Sequence, residues 1–230
     1  MKNKELLVFG SNGALGKGVT QVFSDTDFHK IYLFDFKFNS DESAANVKNI
    51  VIDDLSIEEN VRSAFKNISP DNETLYFLFS TVGGYHGGKD MWDTKVTDFD
   101  KMMNINLKAN FLIAKFFSDL IKKSAGGSIC LTSAYIADNP ESGKSVYGAS
   151  KAALSHLVKT ISDEGVKINL TANAIAPYMI DTPANREWMD KNDYSKMIKP
   201  AEIGSLVLSI FNNFNFISGN IFDLKHRFDL

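Results

Sequence analysis

A phenol and an ammonium stand four residues apart in Tyr147-Gly148-Ala149-Ser150-Lys151. On a helix, positions i and i+4 share one face. Both groups normally release their protons near about pH 10. A neighbouring positive charge favours the phenolate, so Tyr147 beside Lys151 could exchange a proton near neutral pH, as a general acid or base does. The same pattern also occurs on ordinary solvated helix faces, so support for the chemistry must come from elsewhere in the chain.

The second group is Gly10-Ser11-Asn12-Gly13-Ala14-Leu15-Gly16. It follows the apolar run Leu6-Leu7-Val8-Phe9 and leads into a helical pattern with Leu15, Val19, Val22 and Phe23 on one face. Strand, glycine turn and helix form the setting in which such glycines hold a dinucleotide. Gly10 permits the tight turn, Gly13 lets the backbone approach a pyrophosphate, and Gly16 lets the helix pack close to the strand. The helix N-terminus offers free N–H groups to phosphate. An ordinary strand-to-helix turn is the alternative. Asp35 closes the second strand about 20 residues past the turn, where an acid accepts from the ribose 2′-OH of NAD and repels a 2′-phosphate. Asn12 brings no cation to the turn, but Lys37 could swing to a phosphate. NAD(H) is therefore favoured and NADP(H) stays open. Asp54, beyond the third strand, could accept from an adenine amino group. The residues predicted to face the cofactor here are Gly10, Asn12, Gly13, Leu15, Gly16, Asp35 and Asp54, with Gly83 from the fourth strand end.

Short apolar strands alternate with helical patterns along the chain. Strands are predicted at 6–9, 31–34, 49–52, 75–79, 128–132, 169–175 and 219–224. Ser56 with Glu59 reads as a capping box for the helix after the third strand. A long helix is predicted over 99–122, interrupted by Asn104 and Asn106. The loop after the fourth strand, Gly83-Gly84-Tyr85-His86-Gly87-Gly88, places Tyr85 either to stack on a flat substrate ring or simply on the surface. Ser133 ends the fifth strand, at the sheet edge where open α/β sheets bind ligands. Residues 186–199 are polar, with Trp188, Met189, Tyr194 and Met197 among charges, which suits a mobile lid better than a core helix. The expectation is a single α/β domain over 1–230. It has a doubly wound, Rossmann-type parallel sheet of about seven strands with helices on both faces.

Composition narrows the partners. At 230 residues and 44% hydrophobic the chain suits one globular domain. A formal net charge of -3 gives no basic surplus for nucleic acid. The lone Cys130 excludes an internal disulfide and a cysteine-only metal site, and His29, His86, His156 and His226 lack metal-ligand spacing. No apolar run approaches the ~20 residues of a membrane span, and no leader is visible. A cytoplasmic protein acting on a small molecule, without metal, membrane or nucleic acid, is expected.

Over essentially its full length the chain resembles the short-chain dehydrogenases/reductases. That family's catalytic Asn, Ser, Tyr and Lys match Asn106, Ser133, Tyr147 and Lys151. The resemblance implies that Tyr147 passes the proton and that Ser133 bonds the substrate oxygen. It implies that Lys151 binds the nicotinamide ribose and lowers the Tyr147 pKa, and that Asn106 holds a water of a proton relay. In the loop Pro177 to Thr182, Pro177, Ile180 and Thr182 would lie against the nicotinamide, and Tyr178 near the substrate. The segments Gly13-Ala14-Leu15-Gly16, Gly83 to Gly88 and Ile180 to Arg186 depart from the usual family patterns and resemble the dihydropteridine reductase branch. In that branch Tyr85 would border a pterin. Hydride transfer to a quinonoid dihydropterin or similar flat substrate is the reading this favours. Reduction of a small ketone or oxidation of an alcohol, and a non-catalytic dinucleotide sensor, remain alternatives. Family members assemble through the two long helices. Phe116, Phe117, Leu120 and Ile121 make the first of these apolar almost all round, which suggests a homodimer or homotetramer.

Overall fold

The computed structural model describes residues 2–38 and 44–228. Seven strands form one sheet: β1 (Asn3–Phe9), β2 (Lys30–Asp35), β3 (Val47–Val51), β4 (Thr74–Ser80), β5 (Gly126–Thr132), β6 (Leu170–Pro177) and β7 (Ile221–Leu224). Their order is β3-β2-β1-β4-β5-β6-β7, and every adjacent pair is parallel. This is the predicted doubly wound α/β fold.

Period-two alternation decides what each strand buries. Leu6 and Val8 face α1 (Ala14–Ser24) and α7 (Pro200–Asn212), packing with Val19, Phe23, Ile203 and Val207. Leu7 and Phe9 face the opposite layer, with Val61, Leu112, Phe117 and Leu154. That layer consists of α2 (Glu58–Phe65), α4 (Ala109–Ile121) and α5 (Ser145–Gly165). Both sheet faces are covered, so the strands read as continuous apolar runs. Register aligns the carboxyl ends, with Phe9 opposite Ser80 and Thr132 opposite Ile175. The chain leaves β1 and β4 in opposite directions, which opens a crevice between them.

Three expectations change. The single helix over 99–122 is α3 (Val96–Met102), a π-helical turn at Met103–Lys108, and α4. A π turn inserts an extra residue and rotates the side chains that follow it. The predicted capping box does not form: the cap position of α2 is Ile57, without a side-chain cap. Instead Asp54 Oδ1 accepts from the Ser56 N–H at 2.8 Å. Finally, Phe116, Phe117, Leu120 and Ile121 are buried within their own chain, so they do not require a partner to cover them. On the same helix Phe111 is 49% exposed.

Because Phe117 is fully buried between α4 and the sheet, Phe117→Ala should lower the unfolding free energy by about 3–5 kcal/mol. Denaturant titration checks this. The oligomeric state at fixed concentration, read by sedimentation, should not change.

Candidate active site

The glycine turn is built by close approach. Gly10 has φ +76°, in the left-handed region. Its N–H and that of Ser11 both donate to Phe34 O, at 2.9 and 3.2 Å. A Cβ on Gly10 would strike Thr81 Oγ1, which donates to Gly10 O at 2.8 Å. A Cβ on Gly16 would run into Gly10 O and the Ser11 backbone, so this glycine fixes how close α1 lies to β1. Gly13 differs, because a Cβ there would meet only Gly10 O at an ordinary 3.5 Å. Protein packing therefore does not explain Gly13, whereas a ligand passing over the turn would. Gly13 also caps α1 without any side-chain bond, which leaves the first-turn N–H groups available to an anion. The Leu15 side chain lies in the core, so only its backbone can serve a cofactor.

Asp35 closes the ring around this turn. Its Oδ2 accepts from Asn12 N–H and its Oδ1 from Phe36 N–H, both at 2.8 Å. Asn12 Nδ2 donates to Lys37 O at 2.9 Å. Beside it lies a cavity of about 450 Å³ lined by Gly10, Gly13, Asp35, Asp54, Val82 and Gly83. Lys101, Asn104 and Ile105 line the same cavity from α3 and the π turn. Sequence reasoning missed these three and Thr81, because the spacing along a helix does not say which face meets a neighbouring crevice. Asp54 is held ionised below its usual range by the Ser56 N–H.

Gly83 joins this cavity to the second half of the site. A Cβ there would lie 2.8 Å from Asn106 Oδ1 and 2.9 Å from Lys151 Nζ. Lys151 is almost fully buried, and its ammonium donates to Thr132 O at 2.7 Å. Burial without a counter-ion pulls its pKa down to about 8. Asn106, also buried, clamps the loop: Oδ1 accepts from Gly84 N–H at 2.8 Å, and Nδ2 donates to Gly84 O and Ser150 Oγ, each at 3.0 Å. Both amide hydrogens are thereby used, so the relay water that the family resemblance assigns to this residue would have to donate to it, at Oδ1 or at the main-chain oxygen that also accepts from Asn110 Nδ2.

Tyr147 sits near the start of α5, its ring edge-on to Tyr85 with centroids 5.1 Å apart. Burial, and then the Tyr85 phenol, push the Tyr147 pKa up to about 12. This direction is opposite to the lowering that the resemblance implies: desolvation of the phenolate outweighs any help from Lys151, whose ammonium is bonded to Thr132 O. Ser133 also departs from expectation. Its Oγ is buried, donates to Lys151 O at 3.2 Å and pairs with Ser155 Oγ at 2.7 Å. It faces α5 and is not presented to a substrate. Strand alternation turns the next residue the other way, and that residue is Ala134, which has no donor.

The β6 exit completes the rim. Pro177 is buried and Tyr178 is 46% exposed, edge-on to Tyr135 at 5.7 Å. Thr182 Oγ1 accepts from Asn185 N–H and caps α6 (Pro183–Arg186), while Asn185 Nδ2 donates to Ile180 O at 2.8 Å. The segment 186–199 is anchored at both ends. Arg186 Nη2 pairs with Asp181 Oδ2 at 2.7 Å, and Met197 is fully buried. Among the described residues no cluster suits a metal ion, and no helix is long and apolar enough to cross a membrane.

The chain is similar to known proteins. A family model described as short chain dehydrogenase matches residues 4–193. The chain is 30% identical over 204 residues to a dihydropteridine reductase of Dictyostelium discoideum, covering 87% of this chain and 84% of that one. It is 28% identical over 221 residues to human dehydrogenase/reductase SDR family member 4, covering 90% and 77%. Among solved structures it is similar to ElxO with NADP bound, with TM-score 0.84 and 21% identity over 98% of both chains.

The Lys151 burial generates a pH signature. The group titrates near 8 when folded and near 10.5 when unfolded, so between those values the unfolded chain binds the extra proton. Stability therefore rises with pH in that window. Relative to Lys151→Met, the wild-type protein should gain about 1.4 kcal/mol per pH unit from pH 8 to 10. Denaturation of both proteins across that range measures it.

Proposed function

The chain belongs to the short chain dehydrogenase family and is an NAD(P)-dependent oxidoreductase, and we propose that it reduces a flat, conjugated substrate of the quinonoid dihydropterin kind. The observation that carries this reading is the Tyr147–Tyr85 pair in a crevice where Ser133 is turned away. A ketone gains from a second donor at its oxygen, whereas a quinonoid ring depends less on one. The similarity to a dihydropteridine reductase adds support.

The nicotinamide cofactor supplies the hydride. Gly10, Gly13 and the α1 N-terminus take its diphosphate, Asp54 its adenine, and Lys151 its nicotinamide ribose. Gly83, Pro177, Ile180 and Thr182 border the nicotinamide. The neutral phenol of Tyr147 gives the proton, and Tyr85 and Tyr178 flank the substrate ring. NADH is the preferred form, because the Asp35 carboxylate stands where a 2′-phosphate would bring further negative charge. NADP(H), present in the ElxO structure, is the alternative, with Lys37 as its cation. We place this activity in one cytoplasmic domain over 1–230 that forms a homodimer or homotetramer. Val96, Phe99 and Phe111, exposed on α3 (Val96–Met102) and α4, support an assembly face.

The test is loss of nicotinamide absorbance with quinonoid dihydropterin, using NADH and NADPH in parallel. Tyr147→Phe should lower turnover by about 10²–10⁴-fold with cofactor affinity unchanged. Asp35→Ala should weaken NADH more than NADPH. Persistent turnover in the first variant, or equal losses in the second, would remove the corresponding assignment.

A further inference from the structure

Two loops meet at the mouth of the crevice, and their junction carries an unused ion pair. The loop after β4 presents Tyr85, and the turn before α5 presents Glu141 and Lys144. They are stitched together by Gly88 N–H donating to Gly143 O at 2.8 Å and by Ser142 Oγ donating to Asp90 at 3.5 Å. Lys144 Nζ lies 2.6 Å from Glu141 Oε2, with the two side chains 30% and 36% exposed. Burial works against the Lys144 ammonium, but the Glu141 carboxylate and then the Tyr85 and Tyr178 phenols hold its pKa above the usual value. The Tyr85 hydroxyl and Gly143 O both crowd Gly87, so the turn that carries Glu141 and Lys144 lies against Tyr85, which stands edge-on to Tyr147.

A carboxylate beside an ammonium at the edge of an aromatic slot has a definite complement. It is a flat heterocycle whose rim carries adjacent N–H donors and then a carbonyl acceptor. The carboxylate accepts from the donors, and the ammonium donates to the carbonyl. A 2-amino-4-oxopyrimidine ring has that rim. We propose that Glu141 and Lys144 are the specificity-determining pair that reads the amino-oxo edge of the substrate while the tyrosines take its faces. The pair touches neither the transferred hydride nor the proton, so it sets which ring is accepted and not how it is reduced. This inference rests on the reading of the site as one for a flat conjugated ring.

Binding of two stable probes to the protein with NADH separates the claims. Pterin carries the 2-amino group, and lumazine has a carbonyl in its place with the 4-oxo group retained. Titration by ligand fluorescence should show pterin bound about tenfold or more tightly than lumazine, the effect of a hydrogen bond to a charged group. Glu141→Ala should abolish that preference. Lys144→Ala should weaken both probes by a similar factor, and NADH affinity should be unchanged in both variants. Equal binding of the two probes by the wild-type protein, or a preference retained in Glu141→Ala, would overturn the pair. Turnover of quinonoid dihydropterin without the preference removes the pair and keeps the reductase reading. The preference without turnover keeps the pair and removes that reading.

Discussion

All seven strands run in the same direction, so all their carboxyl ends emerge on one edge of the sheet. Parallel pairing permits no hairpins; each connection must cross a face, and a helix is the usual solution. The β1 and β4 connections depart to opposite faces, which leaves a crevice between them. The glycine turn, the Gly83 to Gly88 loop, the start of α5 and the exit of β6 are all strand-end features gathered around that gap. The aligned register of β1, β4, β5 and β6 brings residues separated by more than a hundred positions into one site.

Within the site the costly element is a buried ammonium. Lys151 donates to Thr132 O, and burial lowers its pKa. Around it, small residues and amides replace bulk: Gly83 leaves no side chain, and Asn106 satisfies both backbone groups of Gly84 while holding Ser150. Ser150 Oγ in turn donates to Tyr147 O at 2.8 Å. The glycine-rich loop, the π turn and the first turns of α5 are thereby one hydrogen-bonded unit. Moving any of them moves Tyr147 relative to the crevice.

The proposed substrate side is built differently. There the tyrosine rings stand in edge-to-face pairs, Tyr85 with Tyr147 and Tyr135 with Tyr178, a geometry that aromatic quadrupoles favour. Lys225 lies 5.3 Å over the Tyr135 ring, and Glu141 pairs with Lys144 in the turn before α5. The hydroxyl expected to orient a substrate oxygen instead ties β5 to α5 through Ser133 and Ser155.

Apolar runs, turn residues and glycine spacing along the chain were enough to specify the strands, the nucleotide-type turn and the Tyr147–Lys151 helix face, because these depend on local periodicity and on backbone freedom at Gly10 and Gly16. The resemblance to a known family named four polar residues, but residue type does not set side-chain direction. Ser133 faces α5 because strand alternation and sheet register put it there. Asn106 clamps Gly84 because a π turn rotates it inward, and Phe116 and Phe117 lie in the core because α4 packs on the sheet through that face. Lys101, Asn104 and Thr81 reach the crevice only once the helices and strands are docked. Periodicity tells which residues share a face; which faces meet, and how far burial shifts the charges between them, is decided by packing in three dimensions.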